Sequence, residues 1–313
     1  MPAPVQPLRI VSIIWRFSRP HTLVGTFFSI SALYILSGFG NPDFNASLGQ
    51  SPALGIWALT LLCCAACNIY ITGLNQWADV ELDRINKPWL PIASGELSRN
   101  AALRICLVSL GISLVLAYYL SPWLFLLIAL ISAIGTAYSL PPLRFKKHHF
   151  GAATAIFLVR GLLVNIGVFI HFRLVLFAGE APFPGWMWPL TLFITLFSIA
   201  IAWYKDIPDA AGDAAFRIHT LTVRLSALRV FRLAGALLSL AYLLLILAFG
   251  LGIGVEQNYV GAAIHGVLLL FFWTFASRVM VEDKQAIKRF YMTFWLLFFL
   301  AYIAYPLSLY FQS

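Results

Sequence analysis

Charge is scarce in this chain, and negative charge is scarcest. Only 11% of the 313 residues are charged, with 12 Asp and Glu against 21 Lys and Arg. With so much of the rest apolar, that excludes a soluble globular domain of this length. Cysteine is nearly absent as well. Cys63, Cys64, Cys67 and Cys106 all fall in apolar runs. Cys64 and Cys67 form a C-x-x-C with no second ligand pair, so they read as small buried hydrophobes rather than a metal or redox centre. The polar–apolar alternation of a membrane β-barrel is missing too. The leader MPAPVQPLRIVSIIW lacks a cleavable signal pattern and is too short for a transit peptide. The first apolar run is therefore expected to be retained, and a bacterial origin is expected.

What the chain has is apolar length. It is 61% hydrophobic, with a mean hydropathy of +0.87. A membrane helix needs about 20 apolar residues, and helices are how a chain without alternation satisfies its backbone in hydrocarbon. The pattern predicts an all-α membrane protein with nine spans near 22–39, 53–74, 101–120, 122–138, 151–172, 187–204, 228–250, 259–279 and 290–310. Nine spans place 19 of the 21 Lys and Arg on one side, with Arg173 opposite and Arg160 inside the fifth span. The net charge of +9 thus follows the positive-inside rule and does not suggest nucleic acid. The same rule puts the N-terminus in the cytoplasm.

Half of the acids fall in two clusters. Asn75-Gln76-Trp77-Ala78-Asp79-Val80-Glu81-Leu82-Asp83 follows the second span, and Asp206-Ile207-Pro208-Asp209-Ala210-Ala211-Gly212-Asp213 follows the sixth. Carboxylates beside a membrane are costly and mark function. Asn75, Asp79 and Asp83 are spaced i, i+4, i+8, which puts them on one helical face. Asp206, Asp209 and Asp213, at i, i+3, i+7, do the same, with Pro208 suited to the first turn of a helix. The bland alternative is a pair of solvated loops, or charges drawn to helix N-termini. Two clusters at matching positions favour a shared site of hard oxygen ligands. Magnesium uses one or two carboxylates and completes its shell with water and phosphate oxygens.

The matching positions also suggest a repeat. One four-helix unit spans 22–138 and the other 151–279, with 290–310 added to a single domain. Leu97-Ser98-Arg99 and Leu225-Ser226-Ala227 then follow the two clusters. The links 75–100 and 204–227 are long loops capping a central cavity, whereas 40–52 and 173–186 are Gly/Pro-rich connectors on the other side. Such long loops on a rigid scaffold carry function.

Cations accompany the acids. Arg84, Lys87 and Lys205 adjoin the clusters and suit the clamping of a concentrated anion. Arg144 and Lys146, past the break Tyr138-Ser139-Leu140-Pro141-Pro142, fit either a clamp or membrane topology. Lys147 and the cations of 278–289 are assigned to topology alone. Arg160 either contacts an anionic group or pairs with an acid. His171 reads as an interfacial residue and His265 as a packed interior one. Trp123, Trp186 and Trp188 mark interfaces, and other aromatics could shield a cation.

These motifs carry a resemblance. NQWADVELDRINKPWLPIASGELS (75–98), YSLPPLRFKK (138–147), RGLLVNIGVFIH (160–171), KDIPDAAGD (205–213) and RPHT (19–22) resemble the UbiA superfamily of intramembrane prenyltransferases, and within it the homogentisate prenyltransferases. Ala210-Ala211 departs from the Val-Glu-like pair expected there and leaves the Asp residues untouched. The resemblance implies nine helices around a cavity and an isoprenyl channel open to lipid. It implies that Asn75, Asp79, Asp83, Asp206, Asp209 and Asp213 bind Mg²⁺ and that the five aspartates are catalytic. The candidate diphosphate set is Arg84, Lys87, Tyr138, Arg144, Lys146 and Lys205. The candidate acceptor set is Arg19, His21, Arg160 and Asn165. The implied reaction is transfer of a phytyl or geranylgeranyl group from its diphosphate to homogentisate, with loss of carbon dioxide, in a cyanobacterial-type inner or thylakoid membrane. Other acceptors are chlorophyllide, haem, hydroxybenzoate and naphthoate. An ion-coupled transporter also uses repeats and intramembrane acids, but on helices broken near mid-membrane. Here both clusters lie at span ends.

Overall fold

The computed structural model describes residues 7–40, 51–177 and 183–311. An amphipathic helix α1 (Pro7–Phe17) leads into α2 (Pro20–Ser37), α3 (Ser51–Ala78) and the short α4 (Val80–Asn86). Next come α5 (Arg99–Leu120) and α6 (Pro122–Ser139). A single long helix then runs through α7 (His149–Ile156), a π-helical stretch (Phe157–Val168) and α8 (Phe169–Leu176). The chain continues with α9 (Met187–Ala215), α10 (Leu221–Leu225), α11 (Ala227–Leu251), α12 (Tyr259–Ala276) and α13 (Lys284–Tyr310). No strand forms among the described residues beyond an isolated parallel bridge between His148 and His219.

Local chemistry sets the helix ends. Ser98, Ser121, Asn258 and Asp283 accept backbone N–H bonds from the first turns of α5, α6, α12 and α13. Pro20 and Pro122 open α2 and α6, where a missing N–H does no harm. Nine helices among the described residues are long and apolar enough to cross a membrane. Their outer faces stay apolar: Val115 and Leu270 are each 68% exposed. The chain is an all-helical integral membrane protein. Residues 41–50 and 178–182, within the connectors 40–52 and 173–186, lie outside the described residues.

Packing in the first half, α2 on α3, α3 on α5 and α5 on α6, has a counterpart in the second: the π stretch on α9, α9 on α11 and α11 on α12. Helix α13 closes the bundle against α2, α9 and α12. Aromatic side chains fill the α9–α13 seam, with the rings of Phe197 and Tyr204 at 4.7 and 4.8 Å from Phe294.

Three local expectations are corrected. The second acidic cluster is not a loop. It rides on the last turns of α9, and Pro208 lies inside that helix rather than at the start of another. Apolar burial of the α9 face carries the helix through the proline, because Tyr204, Ile207 and Gly212 are all buried. The first cluster is not one straight helix. Asp79 adopts φ −112°, ψ 21° between α3 and α4, although its N–H still bonds Asn75 O and its carbonyl still accepts from Asp83 N–H. His171 is not interfacial. It is fully buried, with Nε2 3.1 Å from the Thr60 hydroxyl and Nδ1 2.9 Å from that of Ser121. His265 is an interior residue, stacked on Phe249.

Candidate active site

The two acidic rows meet at one end of the bundle. Helix α4 leans on the end of α9, and the contact is specific. Asn86 is buried and its Oδ1 accepts a hydrogen bond from Gly212 N–H at 3.2 Å. A Cβ at Gly212 would lie 2.3 Å from that oxygen, so only glycine permits this approach. Beside it, Lys87 forms an ion pair with Asp209.

The acids divide into two kinds. Asp79 receives Lys146 and, at 3.0 Å, Arg144. Asp209 receives Lys87. Lys205 approaches Asp206 at 3.6 Å. Asp83 and Asp213 have no such partner among the described ion pairs, although they are only 5% and 6% exposed. One oxygen of Asp83, Oδ2, is buried with no hydrogen bond at all. Burial pushes the Asp83 carboxyl above the usual carboxylate range, against the opposing pull of Arg19 and Lys87. Burial likewise lowers the Lys146 ammonium, against the pull of Asp79. Buried carboxylates without cations are unstable as anions unless a further positive charge arrives.

The donor set therefore fits a hard divalent cation held by few protein ligands. No group of three or more His, Cys, Asp or Glu is gathered around one point among the described residues. A closed protein cage is absent from them, but a magnesium ion that keeps water and phosphate oxygens does not need one.

Below the acids lies a chamber of about 210 Å³. Arg19, His21, Asn75, Tyr138, Arg160 and Lys205 all line it. Asn75 also donates to Asp79 at 3.2 Å. A second cavity of about 190 Å³ shares Thr22, Ile71, Val159, Arg160 and Trp295 with the chamber and continues between apolar walls such as Ile30, Ile131 and Phe298. Arg160 stands at the junction. Its guanidinium lies 5.0 Å from the Trp295 ring and 5.7 Å from Phe298, and it has no carboxylate partner among the described ion pairs. Of its two sequence readings, pairing with an acid thus finds no support.

Two residues fall elsewhere. Arg84 points outward, 57% exposed, and pairs with Glu81 at 2.7 Å. The α4 helix turns its Asp83 face inward, which sends Arg84 out. Asn165 is fully buried and all its polar atoms are used. Its amide donates to the Arg160 and Gly161 carbonyls, and its Oδ1 accepts from the Tyr302 hydroxyl at 2.8 Å. It pins the π-helical stretch rather than facing the chamber.

Arg19 caps α2 at φ 52°, a left-handed conformation rare outside glycine, and its Nε is buried without a partner. Arg144 is also left-handed, at φ 38°. Strain of this kind collects at functional sites. Sequence reasoning missed Tyr291 and Trp295, chamber residues on α13, because that helix carries no acidic motif. It also missed Asn86, whose only sequence signal is its place three residues past Asp83.

Comparison with known proteins places the chain in a family. The chain is 41% identical over 302 residues to homogentisate phytyltransferase of Synechocystis sp., covering 96% of both chains. It is 35% identical over 311 residues to homogentisate geranylgeranyltransferase of Hordeum vulgare, covering 96% of this chain and 73% of that one. A UbiA homologue of Archaeoglobus fulgidus, solved with GPP and Mg²⁺, superposes with a TM-score of 0.65 at 19% identity, over 94% of this chain and 99% of that one. A model of the UbiA prenyltransferase family matches residues 25–301. Nine apolar helices and a paired-acid mouth are thus joined by sequence identity along the whole length, and the chain belongs to the UbiA prenyltransferase family.

Proposed function

We propose that this protein transfers a phytyl or geranylgeranyl group from its diphosphate to homogentisate, as the names of its relatives in Synechocystis and barley describe for them. The observation that carries the reading is the meeting of α4 and α9, through Asn86–Gly212 and Lys87–Asp209, above a chamber that opens into an apolar tunnel. Asp83, Asp206 and Asp213, with Asn75, are the residues to hold Mg²⁺, and Asp79 and Asp209 complete the acidic rim. When bound, the metal supplies charge neutralisation of the departing diphosphate. Lys87, Arg144, Lys146 and Lys205 supply charged N–H donors for the remaining phosphate oxygens, and Tyr138 lines the same wall. Arg84 is left out of this set by its outward position.

The chemistry then runs in the chamber. The C–O bond to diphosphate breaks and leaves an allylic cation on the prenyl carbon. The electron-rich ring attacks that carbon, the ring loses a proton, the carboxylate leaves as carbon dioxide and its former carbon takes a proton. Tyr291, Trp295 and Phe298 place π faces beside this path, and the apolar walls keep water from the cation. Arg160, with Arg19 and His21 above it, is positioned to hold the acceptor carboxylate. The cation-rich end faces the cytoplasm by the positive-inside rule, in a bacterial membrane of cyanobacterial type.

The test uses membranes containing the full chain, labelled prenyl diphosphate and carboxyl-labelled homogentisate. A lipid-soluble product and released labelled carbon dioxide are expected with Mg²⁺, both falling to background in EDTA and returning when Mg²⁺ is added back. EDTA-resistant product, or prenyl uptake with no product, would overturn the proposal. In the same assay Arg160→Gln is expected to raise the acceptor KM or lower turnover by about tenfold, the scale of one charged hydrogen bond. If neither parameter moved, the acceptor role of Arg160 would be withdrawn.

A further inference from the structure

A third cavity, about 370 Å³ in volume, opens at the acidic end of the bundle between α1, the 87–90 turn, α9 and α13. It shares Arg19, His21, Lys205 and Tyr291 with the chamber, so the two spaces have a common wall. Its charged lining is one-sided: Arg16, Arg19, Lys87, Lys205 and Lys288 against Asp209. Most of these cations are engaged. Arg16 makes a double hydrogen bond to Glu96 and a third to Trp89 O, which ties α1 to the turn. Lys87 is taken by Asp209 and Lys205 approaches Asp206. Lys288 has no carboxylate partner among the described ion pairs. Its ammonium sits 4.0 Å from the centre of the Trp89 ring, and Trp89 is 49% exposed.

Lys288 and Trp89 line this outer space and not the chamber, whereas Tyr291 lines both. A cation without a carboxylate partner among the described ion pairs, beside an exposed indole and with a phenol leading inward, suits a small aromatic ring bearing a carboxylate. A carboxylate can take a charged N–H bond from Lys288, and the ring can stack on the indole as the ammonium turns to the anion. The two substrates also differ in their approach. The prenyl donor partitions into lipid, while an ionised hydroxyphenyl acid arrives from water. We infer that this cavity is an antechamber that captures the aromatic acid acceptor, with Lys288 binding its carboxylate and Trp89 and Tyr291 bracketing its ring before it passes to the chamber. The inference rests on the proposed transfer reaction for the identity of the acid, homogentisate. It reassigns Lys288, which the sequence placed among topological cations, because α13 begins at Lys284 and turns Lys288 toward Trp89.

The experiment has two arms on the full chain in lipid nanodiscs. Equilibrium dialysis with labelled homogentisate, without donor, compares the wild type with Lys288→Gln, Lys288→Arg and Trp89→Leu. Dialysis is repeated with the methyl ester of homogentisate as a neutral ligand, and steady-state assays with homogentisate separate acceptor KM from donor KM. Lys288→Gln is expected to weaken homogentisate binding and raise its KM by about tenfold, with donor KM and methyl-ester binding unmoved. Lys288→Arg is expected to restore most of the loss, and Trp89→Leu to weaken acid and ester alike. Unchanged dialysis binding in Lys288→Gln, or no binding to the wild type, would overturn the antechamber. A rise in donor KM instead would place Lys288 on the diphosphate and would also overturn it. Absence of product in the wild type would sink the proposed reaction, while the dialysis arm would still decide the binding site.

Discussion

Asp83→Asn is expected to lower prenyl transfer by about 10²–10³-fold, the loss typical of one preorganised electrostatic contact to a reacting anion, with little loss of folded protein. The reason is its isolation. Asp83 is 5% exposed, has no ion pair among those described, and leaves Oδ2 without a hydrogen bond. Asparagine removes the charge, keeps the shape and leaves no cation stranded. Asp79 behaves differently. Its removal would leave Lys146, itself 8% exposed, and Arg144 without a partner. Breaking a buried pair in this way destabilises by about 3–5 kcal/mol. Asp79→Ala should therefore reduce both turnover and the yield of folded protein, and Asp209→Ala should do so through Lys87. A reading of these acids as solvated loop residues gives intact expression for both, and burial is what changes that expectation. Turnover per folded molecule, with the folded fraction followed by size-exclusion fluorescence, measures both effects. Near-normal turnover in Asp83→Asn would remove Asp83 from the site.

The second large effect belongs to Gly212. A methyl group there would meet Asn86 Oδ1 at 2.3 Å and Cγ at 2.6 Å. The Asn86 amide is buried and bonded to Gly212 N–H, so it must give up that hydrogen bond or Gly212→Ala pushes α4 and the end of α9 apart. A displacement of about 1 Å at a reacting centre can cost about 10²-fold in rate, and that is the expected loss. The cause can be isolated. Asn86→Ala alone loses the Gly212 hydrogen bond but no volume is forced in, so its loss should be the smaller one. The double variant Gly212→Ala/Asn86→Ala removes the clash and should recover much of the activity lost in Gly212→Ala. If the double variant were as poor as the product of the two single losses, the steric account of this contact would fail.

How much of this was legible beforehand depends on the physical signal. The nine helices were, because a hydrocarbon slab demands long apolar runs and positive charge on one side. The acidic rows were, because carboxylates are rare in such a chain and their spacing repeats. The backbone carrying them was not. A cluster containing Pro208 reads as a helix start, yet burial of Tyr204, Ile207 and Gly212 against neighbouring helices carries α9 straight through it. His171 read as interfacial from its place at a span end, but Thr60 and Ser121 satisfy it inside the bundle. Arg84 and Lys87 looked alike in sequence. Three positions on a short helix send one to solvent beside Glu81 and the other to Asp209. Lys288 and Trp89 lie about 200 residues apart, and only the folded chain brings them to 4.0 Å.

The most direct measurement is Mn²⁺ binding, followed by electron paramagnetic resonance, in the presence of an inert thiolo-diphosphate analogue of the prenyl donor. The wild-type protein should retain Mn²⁺ when the analogue is bound, and Asp83→Asn and Asp213→Asn, one from each row, should both lose it while remaining folded. Equal retention in both variants, or analogue binding that ignores the metal, would contradict a shared metal–diphosphate site between α4 and α9.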